Sequence, residues 1–144
     1  MQNQTPPHLP RLHPSFQFRS IKPSDFNFIL NSWLRSYRNS KFTKHLSNEK
    51  YYQSQSELII HLLGNSTVLV AASIDDPDRI YGYALGNMAP DATGYWLQYA
   101  YVKHLYRRLG IATQLVSQLA PRMPIFVTHW RPVCAKMGWK RVQL

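Results

Sequence analysis

Hydrophobic positions along this chain recur with two different periods. Phe16-Gln17-Phe18-Arg19-Ser20-Ile21 largely alternates apolar and polar residues, the period of a half-buried strand. The period then lengthens: Phe26, Ile29, Leu30, Trp33, Leu34 and Tyr37 fall on one face of a helix. Lys22-Pro23-Ser24-Asp25 offers helix-start chemistry, with proline near the first turn and an acid facing the positive end of the helix dipole. Asn39-Ser40 ends that helix. A second is predicted from Ser47, whose hydroxyl suits an N-cap, to Leu63, where Gly64-Asn65 breaks it. Its buried stripe is read as Tyr51, Gln55, Leu58, Ile59 and Leu62.

Strand-like runs follow over Thr67–Ser73 and Ile80–Asn87, joined by the polar turn Ile74-Asp75-Asp76-Pro77-Asp78. A third, Tyr95–Val102, comes after Pro90-Asp91-Ala92-Thr93-Gly94, so the three predict an antiparallel meander. Period-2 alternation places Tyr95, Tyr99 and Tyr101 on one side of that strand and Trp96, Gln98 and Ala100 on the other. Gly110–Leu119 is helical, with Ile111, Leu115, Val116 and Leu119 on one side and Pro121 closing it. Ile125–Val127 reads as a short buried strand, Arg131–Met137 as a short helix ended by Gly138, and Trp139–Leu144 as a last strand. The order β-α-α-β-β-β-α-β-α-β is that of an α/β (α+β) sandwich rather than a doubly wound sheet. Met1–Pro14 holds four prolines and no periodicity, so it is expected to be a disordered or extended arm before a single domain over 15–144.

Composition narrows this further. With 144 residues, 44% apolar and 17% charged, the chain suits one domain with a real core. The longest uninterrupted apolar run, Val68–Ala72, is five residues, far short of the ~20 that span a membrane. Cys134 is the single cysteine, which excludes an internal disulfide or a cysteine metal cage, and the N-terminus lacks a signal pattern. A cytoplasmic protein is expected. Charge is uneven: 17 Lys+Arg against 7 Asp+Glu give +10, and Tyr101–Leu144 carries Lys103, Arg107, Arg108, Arg122, Arg131, Lys136, Lys140 and Arg141 without one acid. A field of one sign suits a polyanion, either a phosphate-rich cofactor or nucleic acid.

The chemistry concentrates in Tyr101-Val102-Lys103-His104-Leu105-Tyr106-Arg107-Arg108-Leu109-Gly110-Ile111-Ala112, where a strand hands over to a helix. Arg107-x-x-Gly110-x-Ala112 puts small residues at the first turn, leaving the N–H groups of Arg108 to Ala112 free to converge on an anion. Glycine lets a phosphate approach the backbone, and Lys103, Arg107 and Arg108 add charge around it. A diphosphate is the expected guest.

At this point the chain resembles the GNAT superfamily of N-acetyltransferases. Tyr106-Arg107-Arg108-Leu109-Gly110-Ile111-Ala112 is similar to that family's Arg/Gln-x-x-Gly-x-Gly/Ala loop, and Gly138-Trp139 stands where the family often has Gly-Phe. The likeness runs from about Phe16 to the C-terminus. Asn31-Ser32-Trp33-Leu34-Arg35-Ser36-Tyr37-Arg38 also resembles small acetyltransferase-like proteins of phages and prophages. The resemblance implies a mixed, mainly antiparallel sheet flanked by helices and acetyl-CoA as cofactor, held by Ala100, Tyr101, Val102, Arg107, Arg108, Leu109, Gly110, Ile111 and Ala112. It implies that the cofactor lies where the strand near Val102 splays from the Ile125 strand. The Val102 N–H then stabilises the oxyanion and the acceptor amine attacks directly.

The sequence departs from the family in its proton-transfer groups. A lysine-like amine has a pKa of about 10.4 and must lose a proton before it reacts. The family often uses a strand glutamate for this, whereas Glu49 and Glu57 both fall on the second helix. His104, His129, Asp91 or an ordered water are the candidate bases. The family's acid is often a tyrosine four residues before the last helix's glycine; here that position is Cys134, whose thiol matches a CoA thiol closely enough for balanced proton transfer. A packed Cys134, with CoA leaving as thiolate, is the alternative. Because the chain stops at Leu144 after one last strand, an open acceptor face, or one completed by a second subunit in a homodimer, is expected. Arg35 and Arg38 are candidates to line it, as are Ser36, Tyr51 and Tyr52. His129-Trp130-Arg131 with Lys136, Lys140 and Arg141 mixes stacking and phosphate-binding groups, so a small molecule, a protein and nucleic acid all stay open as the amine-bearing acceptor. Alternative functions are a catalytically idle binding protein of the same fold, or a related enzyme that modifies nucleic acid.

Overall fold

The computed structural model of the chain describes residues 15–128 and 137–141. The arm predicted over Met1–Pro14, His129, Trp130, Cys134 and all but the last residue of the helix predicted over Arg131–Met137 lie outside them. The elements are β1 (Phe16–Ser20), α1 (Phe26–Tyr37), α2 (Asn48–Asn65), β2 (Thr67–Ser73), β3 (Ile80–Met88), β4 (Tyr95–Val102), α3 (Ile111–Leu119), β5 (Ile125–Val127) and β6 (Lys140–Arg141). One six-stranded sheet runs β1 to β6 in chain order. Pairing is antiparallel from β1 to β4 and parallel between β4 and β5 and between β5 and β6. This is the mixed, mainly antiparallel sheet flanked by helices that the resemblance implies, and β2 to β4 form the meander that the periodicity predicts.

Two apolar layers hold it together. On one face Ile29, Trp33, Leu34 and Tyr37 of α1 and Tyr51, Ile59 and Leu63 of α2 pack on Val68, Val70, Tyr83 and Leu85. On the other, Ile111, Leu115 and Val116 of α3 pack on Ala71, Tyr81, Ala84, Tyr95, Leu97 and Val102. The tyrosine hydroxyls of the first layer are satisfied: Tyr83 pairs with Ser32 Oγ at 2.8 Å, and Tyr51 donates to the Leu34 carbonyl.

Asp25 stands at the helix start as expected, accepting from Lys22 N–H at 2.8 Å, and it is also buried beside Arg19, whose guanidinium donates to both carboxylate oxygens at 2.7 and 2.9 Å. Three sequence expectations are corrected, two of them in α2. Ser47 does cap α2, accepting from Lys50 N–H, but the helix runs through Gly64 to Asn65, whose side-chain amide donates to the His61 carbonyl at 2.8 Å and satisfies the last turn. Its buried stripe is Tyr51, Ile59 and Leu63, with Leu58 42% exposed.

The third correction matters most for the site. The register of β3 and β4 passes from Leu85↔Tyr99 to Gly86↔Leu97, so Gln98 is an extra residue, a bulge. One inserted residue reverses the side-chain alternation. Tyr95 therefore faces the α3 layer with Leu97 and Val102, while Tyr99 and Tyr101 pack on the α1–α2 side. The bulge sits opposite Gly86, where a Cβ would lie 2.2 Å from the Trp96 carbonyl oxygen.

Candidate active site

Along β4, β5 pairs only with Tyr95, Trp96 and Leu97. Among the described residues no strand runs beside the rest of β4 on that edge, so the two strands part and leave a gap. The backbone groups that face it follow from the bulge. Before it, Tyr95 and Leu97 point outward: Tyr95 N–H donates to Pro124 O at 2.9 Å and Thr128 N–H to Leu97 O at 3.2 Å. After it, Lys103 N–H donates inward to Tyr81 O at 2.9 Å. Antiparallel alternation then turns the N–H and C=O of Ala100 and Val102 toward the gap.

At the end of β4 a single 3-10 turn, His104–Tyr106, leads into the loop before α3. Tyr106 anchors it against the Tyr81 ring, 4.4 Å between centres. Arg108 (φ 67°) and Gly110 (φ 84°) are both left-handed, and Ile111 begins the right-handed helix. Alternating hands turn successive N–H groups inward, the geometry of an anion-binding nest. Gln114 N–H makes the first helical bond, to Gly110 O at 3.0 Å, so Ile111, Ala112 and Thr113 N–H have no intrahelical partner. No side chain caps this end and no acid stands in its first turn. A Cβ on Gly110 would touch only Gln114 Nε2, at 3.7 Å. Its backbone angle, rather than lack of room, is what calls for glycine. Exposed Arg107 and Arg108 border the nest. The residues present thus suit a diphosphate followed by an extended amide-bearing arm.

The remaining sequence candidates are scattered. His104 is exposed at the Val102 end of β4. Asp91 lies at the opposite end, in the β3–β4 loop. Hydrogen bonds from the Thr93 hydroxyl (2.7 Å) and N–H (3.1 Å) hold its carboxyl below the usual range, which weakens it as a base. His129 and Cys134 are outside the described residues. Arg38 does not line an acceptor site; it straps the α1–α2 connection, donating to Thr43 O, Leu46 O and Asn48 Oδ1 and covering the Tyr51 ring. Tyr51 is fully buried. Sequence reasoning missed the pairing of Tyr99 with Ser36 and its stacking on Trp33, because the bulge that aims Tyr99 at α1 has no signature beyond Gly86. Among the described residues no three His, Cys, Asp or Glu side chains are grouped to hold a metal, and no helix is long and apolar enough to cross a membrane.

Comparison with known proteins identifies the family and the fold. The model of the acetyltransferase (GNAT) family matches residues 26–124. No curated protein matches the sequence. Among solved structures, a candidate acetyl transferase from Pyrococcus furiosus is 18% identical with TM-score 0.64, over 90% of this chain and 96% of that one. The candidate acetyltransferase YycN from Bacillus subtilis is 12% identical with TM-score 0.67, over 90% and 95%. A candidate acetyltransferase from Clostridium acetobutylicum, solved with acetyl-CoA, is 17% identical with TM-score 0.60, over 88% and 91%. At such identities the likeness is one of fold.

Proposed function

We propose that this chain, which belongs to the acetyltransferase (GNAT) family, transfers an acetyl group from acetyl-CoA directly to an amine. Acetyl-CoA, when bound, supplies an acyl group already activated as a thioester. The chain's residues bind and orient it. N–H groups of the loop from Arg108 to Ala112 hold the pyrophosphate, with Arg107 and Arg108 adding charge. The gap-facing backbone of Ala100 and Val102 pairs with the arm.

The order of these groups refines the role expected for Val102. An arm anchored by its pyrophosphate at the Gly110 end would meet Val102 before Ala100. The Val102 N–H would then pair with the arm, and the Ala100 N–H, one step deeper, would be the donor placed for an acyl oxygen on which charge develops.

The observation that carries this reading is the uncapped, left-handed entry to α3 at Gly110, beside a strand edge that no described strand covers. Titrating the protein with acetyl-CoA while following its melting temperature is the test, because a ligand that binds only the folded state raises it. An unmoved melting temperature at millimolar acetyl-CoA overturns the proposal. Stabilisation without release of free thiol in the presence of any amine favours instead an idle binding protein of this fold.

A further inference from the structure

Beside the start of α1 lies a cavity of about 170 Å³, lined by Ser24, Asp25, Phe28, Asp78, Ile80 and Lys103. Phe28 and Ile80 pack in the α1–α2 layer, whereas the nest opens at the start of α3, which packs on the opposite face of the sheet. Lys103 joins the cavity against expectation. Its place in the sequence puts it beside a diphosphate, yet its side chain turns to α1, with Nζ 5.0 Å from the centre of the Phe28 ring. Its own N–H is fixed to Tyr81 O at 2.9 Å.

The charges around this cavity do not balance. Asp25 takes two hydrogen bonds from Arg19, and Asp78 meets Lys22 Nζ at 2.7 Å. Arg19 also donates to Pro77 O at 2.7 Å, which pins the turn carrying Asp78 and keeps that wall in place. These two pairs are the ion pairs among the described residues. All seven acidic side chains of the chain lie among those residues, so the sequence holds no further aspartate or glutamate to neutralise Lys103. Three cations against two carboxylates leave one positive charge over an apolar floor of Phe28 and Ile80. There it attracts an anion more strongly than it would in bulk water. Ser24, exposed at the rim, has a hydroxyl with no hydrogen-bond partner among the described residues.

We propose that this cavity is a binding site, distinct from the gap, for a small monocarboxylate with an apolar, ring-sized body. The body lies on Phe28 and Ile80, and the carboxylate meets Lys103 Nζ and Ser24 Oγ. Size fits, because an apolar cavity of about 150 Å³ already admits benzene. A single negative charge matches the one uncompensated cation, whereas a dianion would face Asp25 and Asp78 with charge to spare. The site goes beyond the acetyl-transfer reading and needs neither acetyl-CoA nor an acceptor.

The test follows amide NMR signals of the whole chain during titration with benzoate, with benzamide as its uncharged counterpart and inorganic phosphate as a bare anion. Benzoate should saturate by about 10 mM, moving the signals of Ser24, Phe28, Ile80 and Lys103. Benzamide is expected to bind at least about tenfold more weakly. Lys103→Gln should weaken benzoate about tenfold, while Asp78→Asn, which removes a negative charge from the rim, should tighten it about twofold, both effects shrinking at high salt. Arg108→Gln, beside the nest, should leave benzoate binding unchanged. Signals that stay still up to that concentration overturn the proposal, as does equal binding of benzamide. Loss of benzoate binding in Arg108→Gln but not in Lys103→Gln overturns it by placing the anion in the nest. Phosphate binding as tightly as benzoate also overturns it, since the apolar floor then contributes nothing.

Discussion

Arg107 donates through Nε to the Val102 carbonyl at 2.7 Å, and its guanidinium lies 5.8 Å from the centre of the Tyr101 ring. That carbonyl faces the gap. The side chain therefore closes the loop between the end of β4 and the nest, holding the backbone that is to meet the arm in register with the N–H groups that are to meet the phosphates. A planar guanidinium can stack and donate at once, which an ammonium cannot. Arg107→Ala is expected to weaken acetyl-CoA binding about tenfold, or roughly 1.4 kcal/mol, with Arg107→Lys recovering only part. Isothermal titration of both variants checks this, and an unchanged affinity in Arg107→Ala removes the strap from the site.

Gly110 and Gly64 predict opposite outcomes for one substitution. Gly110→Ala forces a Cβ into φ 84°, at a cost of about 1–2 kcal/mol. It should lower the melting temperature by several degrees and shrink the stabilisation that acetyl-CoA gives. Gly64 lies inside α2, and a methyl added there would have nothing within 4 Å, so Gly64→Ala should stabilise by about 0.5–1 kcal/mol and leave the acetyl-CoA effect alone. Equal effects from the two would mean that the Gly110 backbone is not held left-handed.

The strands were legible because their ends are marked by turn chemistry: Thr67–Ser73, Tyr95–Val102 and Ile125–Val127 all stand where alternation and flanking Asp, Pro and Gly put them. The loop before α3 was legible because only certain residue types allow its conformation. The bulge was not. In Tyr95-Trp96-Leu97-Gln98-Tyr99-Ala100-Tyr101-Val102 nearly every position suits either face, so a shift in alternation costs the pattern nothing and leaves no trace. Arg38 was misread for a related reason: its role lies in three acceptors brought together by the α1–α2 turn, which spacing alone does not reveal. Proton-transfer groups depend on adjacency across the fold in the same way, and two of those expected, His129 and Cys134, lie outside the described residues.

The Arg19–Asp25 pair makes stability depend on acid. Burial, the largest single influence on Asp25, would raise its pKa. The hydrogen bonds from Arg19 and from Lys22 N–H, with the attraction of both cations, outweigh it and hold the carboxyl below its ordinary 3.8. A carboxylate lowered in the folded state adds stability in full above its unfolded value, and that contribution fades as pH falls through the folded one. Asp25→Asn leaves half-buried Arg19 without its paired carboxylate, a loss of about 1–3 kcal/mol. Urea unfolding should show that deficit at pH 7 and a shrinking one as pH falls below 3.8 and through the lower folded value, where the unmodified protein loses the same charge. A deficit independent of pH would assign the loss to packing.

Tyr95 and Tyr83 separate a hydroxyl that is satisfied from one that is not. Both rings are buried. Tyr83 Oη pairs with Ser32 Oγ and donates to Ile29 O at 3.2 Å, whereas Tyr95 Oη has no hydrogen-bond partner among the described residues. A buried polar atom left unpaired carries its desolvation cost with nothing to offset it. Tyr95→Phe keeps the ring that packs against Gly86, where a Cβ would come 2.6 Å from Tyr95 Cε2, and removes only the orphaned oxygen. It is expected to stabilise the fold by about 1 kcal/mol, while Tyr83→Phe, which breaks two bonds, costs about 1–2 kcal/mol. Were Tyr95→Phe to destabilise as much as Tyr83→Phe, the Tyr95 hydroxyl would have a partner in the folded protein.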